Sequence, residues 1–405
     1  MDSCSRVSEP LNPEPVDAVQ SNRQYRQESK KLRDWTTMGV GGTAKNFVSA
    51  TTEEEIVEAV READSAGEPV LFLGGGSNLV IADEPFEGTV VRDTRSEYSI
   101  EHDSACGGVV VRATGGMEWD EFVALAVQND WSGLEALSGI PGTVGAAPVQ
   151  NIGAYGQEVA DTIAAVRVYD RLEQRRTTLF LSDLELGYRT SILKRSTYDP
   201  SLSDGRAWGP TGRWIVLGVE FQMRHASLSA PVGYAELARR LGVEVGARVD
   251  QREVRSHVLD LRRGKSMLLD DENRNTFSAG SFFTNPIIPE DEARKLPDEA
   301  PKFPVRAIAP RGSAPDPSKT QPGVLKTSAA WLINHSGFDR GFKVTPESNA
   351  SLSTAHVLAL TNRGGATTAE LADLANVVRD GVFEKWGIEL VPEPVRVGWD
   401  LPPIS

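Results

Sequence analysis

The sequence predicts a mixed α+β fold of two or three domains, and three observations point to this class. The chain has 405 residues, enough for that number of domains at about 100 to 200 residues each. Amphipathic helical segments alternate with short apolar strands, but a regular β-α-β repeat is missing. Two glycine-rich stretches, residues 74–78 and 133–156, interrupt these elements and remain apolar. Such backbone indicates a main chain that approaches a ligand closely.

The first half of the chain contains two predicted helices and the strand that leads into the first glycine-rich stretch. Thr52 and Glu55 have the spacing of a capping box, and the helix that they begin ends at Gly67. Residues 69–73 then form a short buried strand that enters the glycines. An apolar stripe over residues 119–127 predicts the second helix.

The second half continues with strands and ends with a long helix. We predict a strand over residues 164–169, and the strict alternation of Ile215, Leu217, Val219 and Phe221 predicts a half-buried strand. The other predicted elements are a helix over 251–263, a long surface loop over the proline-rich run 297–322, a helix capped by Thr367 and Glu370 and closed by Gly387, and a terminal strand over 388–397.

Composition excludes several classes of protein. The net charge of −14 argues against a general binder of nucleic acids or anionic membranes. Two cysteines without a Cys-x-x-Cys pair and five scattered histidines predict no metal site and a reducing compartment. No apolar run is long enough to span a bilayer, and no signal-peptide pattern opens the chain, so we expect a cytoplasmic protein.

The two glycine-rich loops do not follow the common nucleotide-binding patterns. Neither has the Gly-x-Gly-x-x-Gly fingerprint, and no Gly-x-x-x-x-Gly-Lys-Ser/Thr loop is present. Residues 74–78 and 139–143 can instead offer consecutive backbone N–H groups that converge on a diphosphate. Each loop alone could be an ordinary tight turn, but two of them favour a large, flat, phosphate-bearing cofactor.

The residues around these loops resemble the UDP-N-acetylenolpyruvoylglucosamine reductase family. The resemblance covers nearly everything from about residue 33 to 397, in the order of the family. It is carried by the segments 74–79, 137–146, 150–156, 187–191, 233–234, 262–265, 279–286 and 329–333.

The resemblance implies a fold and a division of the chain. The fold would be α+β, with a two-part FAD-binding domain of the vanillyl-alcohol-oxidase (PCMH) type and a C-terminal α+β substrate-binding domain. The expected parts are a disordered tail over 1–22, a first FAD-binding subdomain over 23–88 that the C-terminal strand 388–405 completes, a second over 89–224, and the substrate-binding domain over 225–387.

It also implies an activity, its cofactors and its partners. Members bind FAD non-covalently, and NADPH reduces the flavin. Flavin N5 then gives hydride to the enolpyruvyl ether of UDP-N-acetylglucosamine, and the product is UDP-N-acetylmuramate, a peptidoglycan precursor. We expect a monomer that binds neither nucleic acid nor membranes.

The motif matches imply roles for individual residues. Ser281 matches the proton donor and Glu393 the catalytic glutamate, while Arg189 can contact a carboxylate at two points, which lysine could not. Tyr234, Lys265, Asn285 and His335 match residues that contact the substrate, and His335 replaces a common glutamine. The expected FAD contacts are Gly74, Gly75, Gly76, Ser77, Asn78, Leu79, Gly139, Ile140, Pro141, Gly142, Thr143, Gly145, Asn151, Gly153 and Arg262.

Several alternatives stay open at the level of sequence. One extra residue separates Glu393 from the arginine of the tail motif, so Glu389 is the fallback for the acid. Arg263 could replace Arg262 at the FAD, and Arg189 could pair simply with Asp183 or Glu185. Without the shared motifs, Ser281 would be taken for a turn hydroxyl and Glu393 for a solvated tail residue.

Two other kinds of protein could share the glycine loops. One is a sugar-acid or lactone oxidase on the same flavin scaffold, and the other is a non-catalytic nucleotide-binding protein. An oxidase of this scaffold often attaches flavin through His or Cys, and neither loop contains these residues. A binding protein would not need competent residues at all three catalytic positions.

Overall fold

The computed structural model describes residues 16–19, 30–313, 316 and 318–404. The predicted disorder of the tail 1–22 therefore concerns residues that mostly lie outside the described ones. Residues 16–19 are described, and they hydrogen-bond to the folded part of the chain. In the part of the chain that the structure describes, no helix is both long and apolar enough to cross a membrane.

Strands and helices alternate irregularly along the chain. The strands are β1 Ala44–Ala50, β2 Val70–Leu73, β3 Leu79–Ile81, β4 Phe86–Asp93, β5 Tyr98–Ser104, β6 Gly108–Thr114, β7 Trp131–Ser132, β8 Gly153–Ala154, β9 Gln157–Glu158, β10 Ile163–Asp170, β11 Arg175–Phe180, β12 Trp214–His225, β13 Ile287–Pro289, β14 Lys302–Phe303, β15 Val324–Thr327, β16 Ala350–Leu352, β17 Leu360–Asn362 and β18 Val395–Val397. The α-helices are α1 Glu53–Ser65, α2 Trp119–Gln128, α3 Ala147–Gln150, α4 Ile192–Arg195, α5 Ala235–Leu241, α6 Gln251–Gly264, α7 Glu290–Ala293, α8 Ala329–His335 and α9 Thr368–Trp386.

A small parallel sheet positions the first glycine loop. Its strands lie in the order β1-β4-β2, and α1 packs on it through Ile56 and Val60. The capping box of Thr52 and Glu55 starts α1 as predicted. The chain leaves β2 at Leu73, passes through the glycines and enters β3, which pairs in parallel with β18 near the C-terminus.

A larger antiparallel sheet, in the order β11-β10-β12-β6-β5, carries α2 on one face. The strand predicted around Ile215 is present as β12. Its predicted half-burial is wrong for the first part, because β12 is buried on both faces from Trp214 to Val219. The register against β10 shifts within the strand, between the partners of Arg167 and Val168. Ile215 consequently packs against the α1 core, whereas Phe221 packs under α2.

The C-terminal part forms a third core around α8 and α9, with β16 and β17 beside them. The predicted cap and end of α9 are confirmed at Thr367, Glu370 and Gly387. The proline-rich run 297–322 is not only a loop. It contains β14, which pairs with β15, and a bridge joins Arg306 to Thr320.

The predicted terminal strand is shorter than expected, since only Val395–Val397 form β18. The residues before it pair with a different part of the chain. Phe283 bridges Pro392, and the N–H of Thr284 donates to the carbonyl of Val391 over 3.0 Å. The tail thus connects the C-terminal core to the sheet that carries the first glycine loop.

Candidate active site

The two glycine-rich loops contact each other directly. The hydroxyl of Ser77 donates to the carbonyl of Pro141 over 2.8 Å. A Cβ added to Gly75 would lie 2.6 Å from the Cα of Gly142, so any side chain there would separate the loops. The second loop is held from behind by α2, because the N–H of Trp119 donates to the carbonyl of Gly142 over 2.9 Å.

These loops present backbone N–H groups without protein partners. Among the described residues, the N–H groups of Gly76, Ser77 and Asn78 on one loop have no hydrogen-bond acceptor, nor do those of Ile140, Gly142 and Thr143 on the other. Clustered N–H groups of this kind form an anion-binding concavity. The donor set therefore fits the diphosphate of a dinucleotide such as FAD.

A cavity of about 470 Å³ extends from this cradle between the two sheets and the C-terminal part. Its wall combines apolar side chains, suited to a flat ring system, with a few charged ones. The predicted residues that line it are Gly74, Gly75, Gly76, Ser77, Asn78, Leu79, Ile140, Pro141, Gly142, Thr143, Gly145, Gly153, Arg189, Tyr234, Arg262, Lys265, Ser281 and Glu393.

Two of the predicted FAD-contacting residues, Gly139 and Asn151, hydrogen-bond to other parts of the protein. The N–H of Gly139 is taken by Asp120, so this residue cannot offer it to a ligand. Asn151 is buried outside the cavity, where its amide donates to the carbonyl of Gly187 over 2.8 Å and its Oδ1 accepts from Ala160. Asn151 thus supports the loop that carries Arg189, and its placement gives no support to a direct cofactor contact.

The two adjacent arginines of α6 point in different directions. Arg262 lines the cavity, and its Nε donates to the carbonyl of Gly139 over 3.0 Å. Burial lowers its pKa from the usual arginine value. Arg263 is exposed and pairs with Asp260 on the same helix. The geometry therefore favours Arg262 over Arg263 as the residue near a cofactor.

Backbone pairing brings Ser281 and Glu393 together on the cavity wall. The N–H of Glu393 donates to the carbonyl of Phe282 over 2.8 Å, next to the bridge between Phe283 and Pro392. Glu393 lines the same cavity as Ser281, whereas Glu389 is exposed and lines only an adjoining one. The register thus favours Glu393 over Glu389.

Arg189 pairs with Glu393 and not with the acids near it in sequence. Its Nε lies 3.0 Å from Oε1 of Glu393, and its Nη2 donates to the carbonyl of Gly153 over 2.7 Å. Glu185 instead pairs with Arg195. Burial alone would lower the pKa of Arg189, but the Glu393 carboxylate together with Tyr188 and Glu158 outweighs burial and raises that pKa.

Lys194 is a further cation of this site that the sequence did not reveal. Its Nζ donates to Oε1 of Gln150 over 2.8 Å and lies 3.4 Å from the carbonyl oxygen of Glu393. Burial lowers its pKa. The local signal was weak: Ser191 caps the single turn of α4 that directs Lys194 into the cavity.

Tyr234 and Lys265 line the same cavity. The Nζ of Lys265 lies 2.9 Å from Oε2 of Glu236. Burial lowers the pKa of Lys265, but the hydrogen bond and charge of Glu236, together with Tyr155 and Tyr234, outweigh burial and raise that pKa. Tyr155 stacks edge-on against Tyr234 with ring centroids 5.6 Å apart. Glu236 and Tyr155 were not predicted as site residues. Lys265 is therefore charged and held by a carboxylate that a ligand could replace.

The last two predicted substrate contacts lie outside the cavity. Asn285 lines the adjoining one, and its Oδ1 accepts from the N–H of Ala329 at the start of α8. His335 is exposed at the end of α8, where its ring stacks on Trp331 at 3.9 Å. The placement of His335 does not support a contact within the cavity.

Comparisons with known proteins identify the family of this chain. A family model described as an FAD binding domain matches residues 44–176, and a model for the C-terminal domain of UDP-N-acetylenolpyruvoylglucosamine reductase matches residues 272–397. The reductase of that name from Cutibacterium acnes is 46% identical over 371 residues, covering 92% of this chain and 90% of its own length. The chain belongs to the UDP-N-acetylenolpyruvoylglucosamine reductase family.

Further members of the family support the same assignment. The UDP-N-acetylenolpyruvoylglucosamine reductase of Thermobifida fusca is 47% identical over 368 residues, covering 91% of this chain and 96% of its own. The crystal structure of the Thermus caldophilus reductase matches 91% of this chain and 97% of its own with a TM-score of 0.57 and 23% identity. That structure shows the shared fold.

Membership fixes the class of the protein. It is an FAD-dependent oxidoreductase with a PCMH-type FAD-binding domain and a C-terminal α+β domain of the UDP-N-acetylenolpyruvoylglucosamine reductase family. The glycine loops and Arg262 are the residues present that fit the cofactor. Within the described residues, no group of three His, Cys, Asp or Glu side chains could hold a metal ion.

Proposed function

We propose that this chain reduces the enolpyruvyl ether of UDP-N-acetylglucosamine to UDP-N-acetylmuramate, in peptidoglycan precursor synthesis, with NADPH as reductant. One observation carries the proposal. The pairing of residues 282–284 with 391–393 puts Ser281, Glu393 and its partner Arg189 on the wall of the cavity that the unpartnered amides also line.

The three side chains suit the charge that develops during the reaction. Adding hydride to a vinyl group conjugated with a carboxylate leaves an enolate-like species with extra negative charge. Arg189 binds that carboxylate, since its planar guanidinium can make two parallel hydrogen bonds. Glu393 is paired with Arg189, which holds the guanidinium at the cavity wall.

Ser281 gives the proton that completes the reduction. A serine hydroxyl is a weak acid, so it can donate only to a strongly basic carbon and only when it is oriented beforehand. The hydrogen bond between the Phe282 carbonyl and the Glu393 N–H fixes the backbone next to it. Glu393 then hydrogen-bonds the substrate beside this donor.

We assign the diphosphate of the cofactor and the diphosphate of the substrate to different sets of residues. Bound FAD would supply hydride transfer from NADPH to the vinyl carbon distal to the ether oxygen. Residues 76–78 and 140–143 hold its diphosphate, and Arg262 lies beside them. Lys265 and Tyr234 hold the diphosphate of the substrate, and Asn285 lies at the adjoining cavity.

We further propose that the reaction takes place in the cytoplasm, where NADPH and nucleotide-linked sugars are available, and that a single chain suffices. All three catalytic side chains come from one chain and line one cavity. We retain the division into 23–88 with 388–405, 89–224 and 225–387 as a proposal. The first two parts share a core, because Ile215 and Leu217 pack against α1.

Flavin colour tests the function directly. Purified protein should be yellow, anaerobic NADPH should bleach it, and the enolpyruvyl substrate should restore the colour without oxygen. Colour that returns only with oxygen would overturn the proposal in favour of an oxidase. A colourless protein that cannot be reconstituted with FAD would overturn it in favour of a non-catalytic binding protein.

A further inference from the structure

A short N-terminal segment, residues 16–19, lies against the two helices that flank the second glycine loop. The N–H of Val16 donates to Oε1 of Gln128 over 2.6 Å at the end of α2. The N–H of Val19 donates to Oδ2 of Asp120 over 2.7 Å at the start of the same helix. The side chain of Val16 also packs against the core under α2. The segment is therefore held at both of its ends.

Asp120 is a buried carboxylate that receives four hydrogen bonds. Its Oδ1 accepts from the N–H of Gly139 over 2.6 Å and from Nη1 of Arg255 over 2.7 Å. Its Oδ2 accepts from Nη2 of Arg255 over 2.8 Å and from Val19. Arg255, on α6, additionally donates to the carbonyl of Asp17 over 2.8 Å. One carboxylate thus joins α2, α6, the N-terminal segment and the glycine loop.

The charges in this cluster compensate each other. A buried carboxylate or guanidinium is costly unless it is paired and hydrogen-bonded. Burial alone would raise the pKa of Asp120, but Arg255 and the two backbone donors outweigh burial and lower it. Asp120 is therefore ionised, and an ionised acceptor holds the Gly139 N–H more strongly than a neutral one would.

Gly139 is the point through which this cluster reaches the cofactor site. Its φ of +71° is a left-handed conformation, and its carbonyl accepts from Nε of Arg262 over 3.0 Å. Asp120 thus fixes the N–H side of this residue and Arg262 fixes its carbonyl side. The unpartnered N–H groups of Ile140, Gly142 and Thr143 follow within four residues.

We propose that residues 16–19, Asp120 and Arg255 form a clamp that orients the Gly139 backbone, and thereby the amides that receive the FAD diphosphate. This inference rests on the proposed function only in taking FAD as the ligand of those amides. Asp120 and Arg255 are positioning residues, since they lie behind the loop and act through Gly139.

Chain truncation tests the role of the segment. We expect deletion of residues 2–19 to raise the FAD dissociation constant of the apoprotein about fivefold, because one donor to a charged acceptor is lost. Deletion of residues 2–15 keeps the Val16 and Val19 contacts and is the control, with an expected change below twofold. Titration of apoprotein with FAD, followed by flavin fluorescence, measures both.

A matched pair of substitutions tests the carboxylate. Asp120→Asn should raise the FAD dissociation constant at least about tenfold, since Arg255 loses its charged partner. Asp130→Asn is the control, because Asp130, two residues after the end of α2, also connects this region to α6 through an ion pair with Arg252 at 2.9 Å, but does not touch Gly139. We expect the control to change FAD binding less than twofold.

Hydrogen exchange separates positioning from simple helix-to-helix attachment. The Gly139 amide should exchange faster in Asp120→Asn and in the 2–19 deletion, but not in Asp130→Asn. Equal FAD affinity in all four variants and wild type would overturn the clamp, as would equal losses in Asp120→Asn and Asp130→Asn. If Asp120→Asn fails to fold, the two deletions decide alone. Wild-type apoprotein that does not bind FAD would instead overturn the proposed function together with the clamp's ligand.

Discussion

Ser281 is the residue at which the proposed chemistry is most easily separated into its two halves. Among the described residues its hydroxyl has no hydrogen-bond partner, although it lines the cavity. We expect Ser281→Ala to leave flavin reduction by NADPH near normal and to slow anaerobic reoxidation by substrate about 10²- to 10⁴-fold, the usual contribution of a positioned acid. Stopped-flow absorbance of the flavin measures both half-reactions.

The flavin reduction step is the internal control for this variant. It needs the same bound cofactor but no proton from the protein. Equal losses in both half-reactions would mean that the substitution damages the cofactor site, and Ser281 would then lose its role as acid.

The backbone conformation of Arg189 explains why the sequence indicated this residue but did not reveal its contact with Glu393. Arg189 has a φ of +53°, as do few non-glycine residues, and Tyr155 and Ser266 on the same cavity also have positive φ. Such strained residues persist only when the surrounding structure fixes them. The motif indicated the residue type, whereas the contact with Glu393 depends on a loop conformation that no local pattern specifies.

At the scale of elements, one ion pair joins α5 to the end of α6 beside the cavity. Glu236 on α5 neutralises Lys265 at the end of α6. An anionic ligand must displace this carboxylate to reach the ammonium. We expect Glu236→Gln to lower the KM for the UDP-linked substrate up to about fivefold, since a partly exposed ion pair contributes up to about 1 kcal/mol. Lys265→Ala should raise that KM.

Glu253→Gln is the control for this pair, because Glu253 is exposed on α6 away from the cavity. Steady-state kinetics of the three variants at one ionic strength provide the comparison. A higher KM in Glu236→Gln would show that the carboxylate supports the cavity wall and does not compete with the ligand.

The helix α9 offers a test of element stability. The Thr367 hydroxyl accepts from the N–H of Glu370, whose side chain accepts from the N–H of Thr367. Thr367→Ala should reduce the free energy of unfolding by about 1 kcal/mol. Urea unfolding of the FAD-free protein measures this, with Thr345→Ala in a loop as control. No difference between the two variants would contradict the capping role.

Elements whose signal is local were predicted well, and those that depend on partners were not. Both capping boxes start helices, since the spacing of the two residues contains the whole interaction. The alternation in β12 predicted one buried face, but a register shift set by β10 divides its residues between two cores. Most of 388–397 pairs irregularly because its partner near Phe282 is itself a bend.

At the scale of the whole molecule, His356 makes the free energy of unfolding depend on pH. It lies between β16 and β17, and burial lowers its pKa from 6.5 to about 4, with Lys265 and Arg340 adding to the effect. The unfolded chain therefore binds the proton first as pH falls. The contribution of His356 to the free energy of unfolding is fully present above pH 6.5 and is lost progressively as the pH falls toward 4.

Between pH 7 and pH 5 this loss amounts to about 2 kcal/mol. We expect His356→Gln to have a free energy of unfolding that falls less over this interval than that of the wild type. Denaturant unfolding at both pH values measures the difference. Parallel losses in the two proteins would show that other groups dominate the acid sensitivity.

Only the parts of the candidate site that lie in continuous sequence motifs could be predicted from the sequence. The loops 74–78 and 139–143 are each continuous, so their glycines are visible in sequence, and the structure brings them into contact. Lys194 and Asp120 were missed because their roles arise from contacts with Glu393 and Gly139, which are distant in sequence.

The stretch 391–397 has a consequence for biosynthesis. It supplies Glu393 to the cavity wall, and it supplies β18, whose first N–H donates to the carbonyl of Asn78 over 2.9 Å. A nascent chain that has been translated only as far as Leu390 contains both glycine loops but lacks the partner of β3. We expect flavin capture and redox competence to arise together, once the ribosome has released this stretch, so that abortive translation products carry neither.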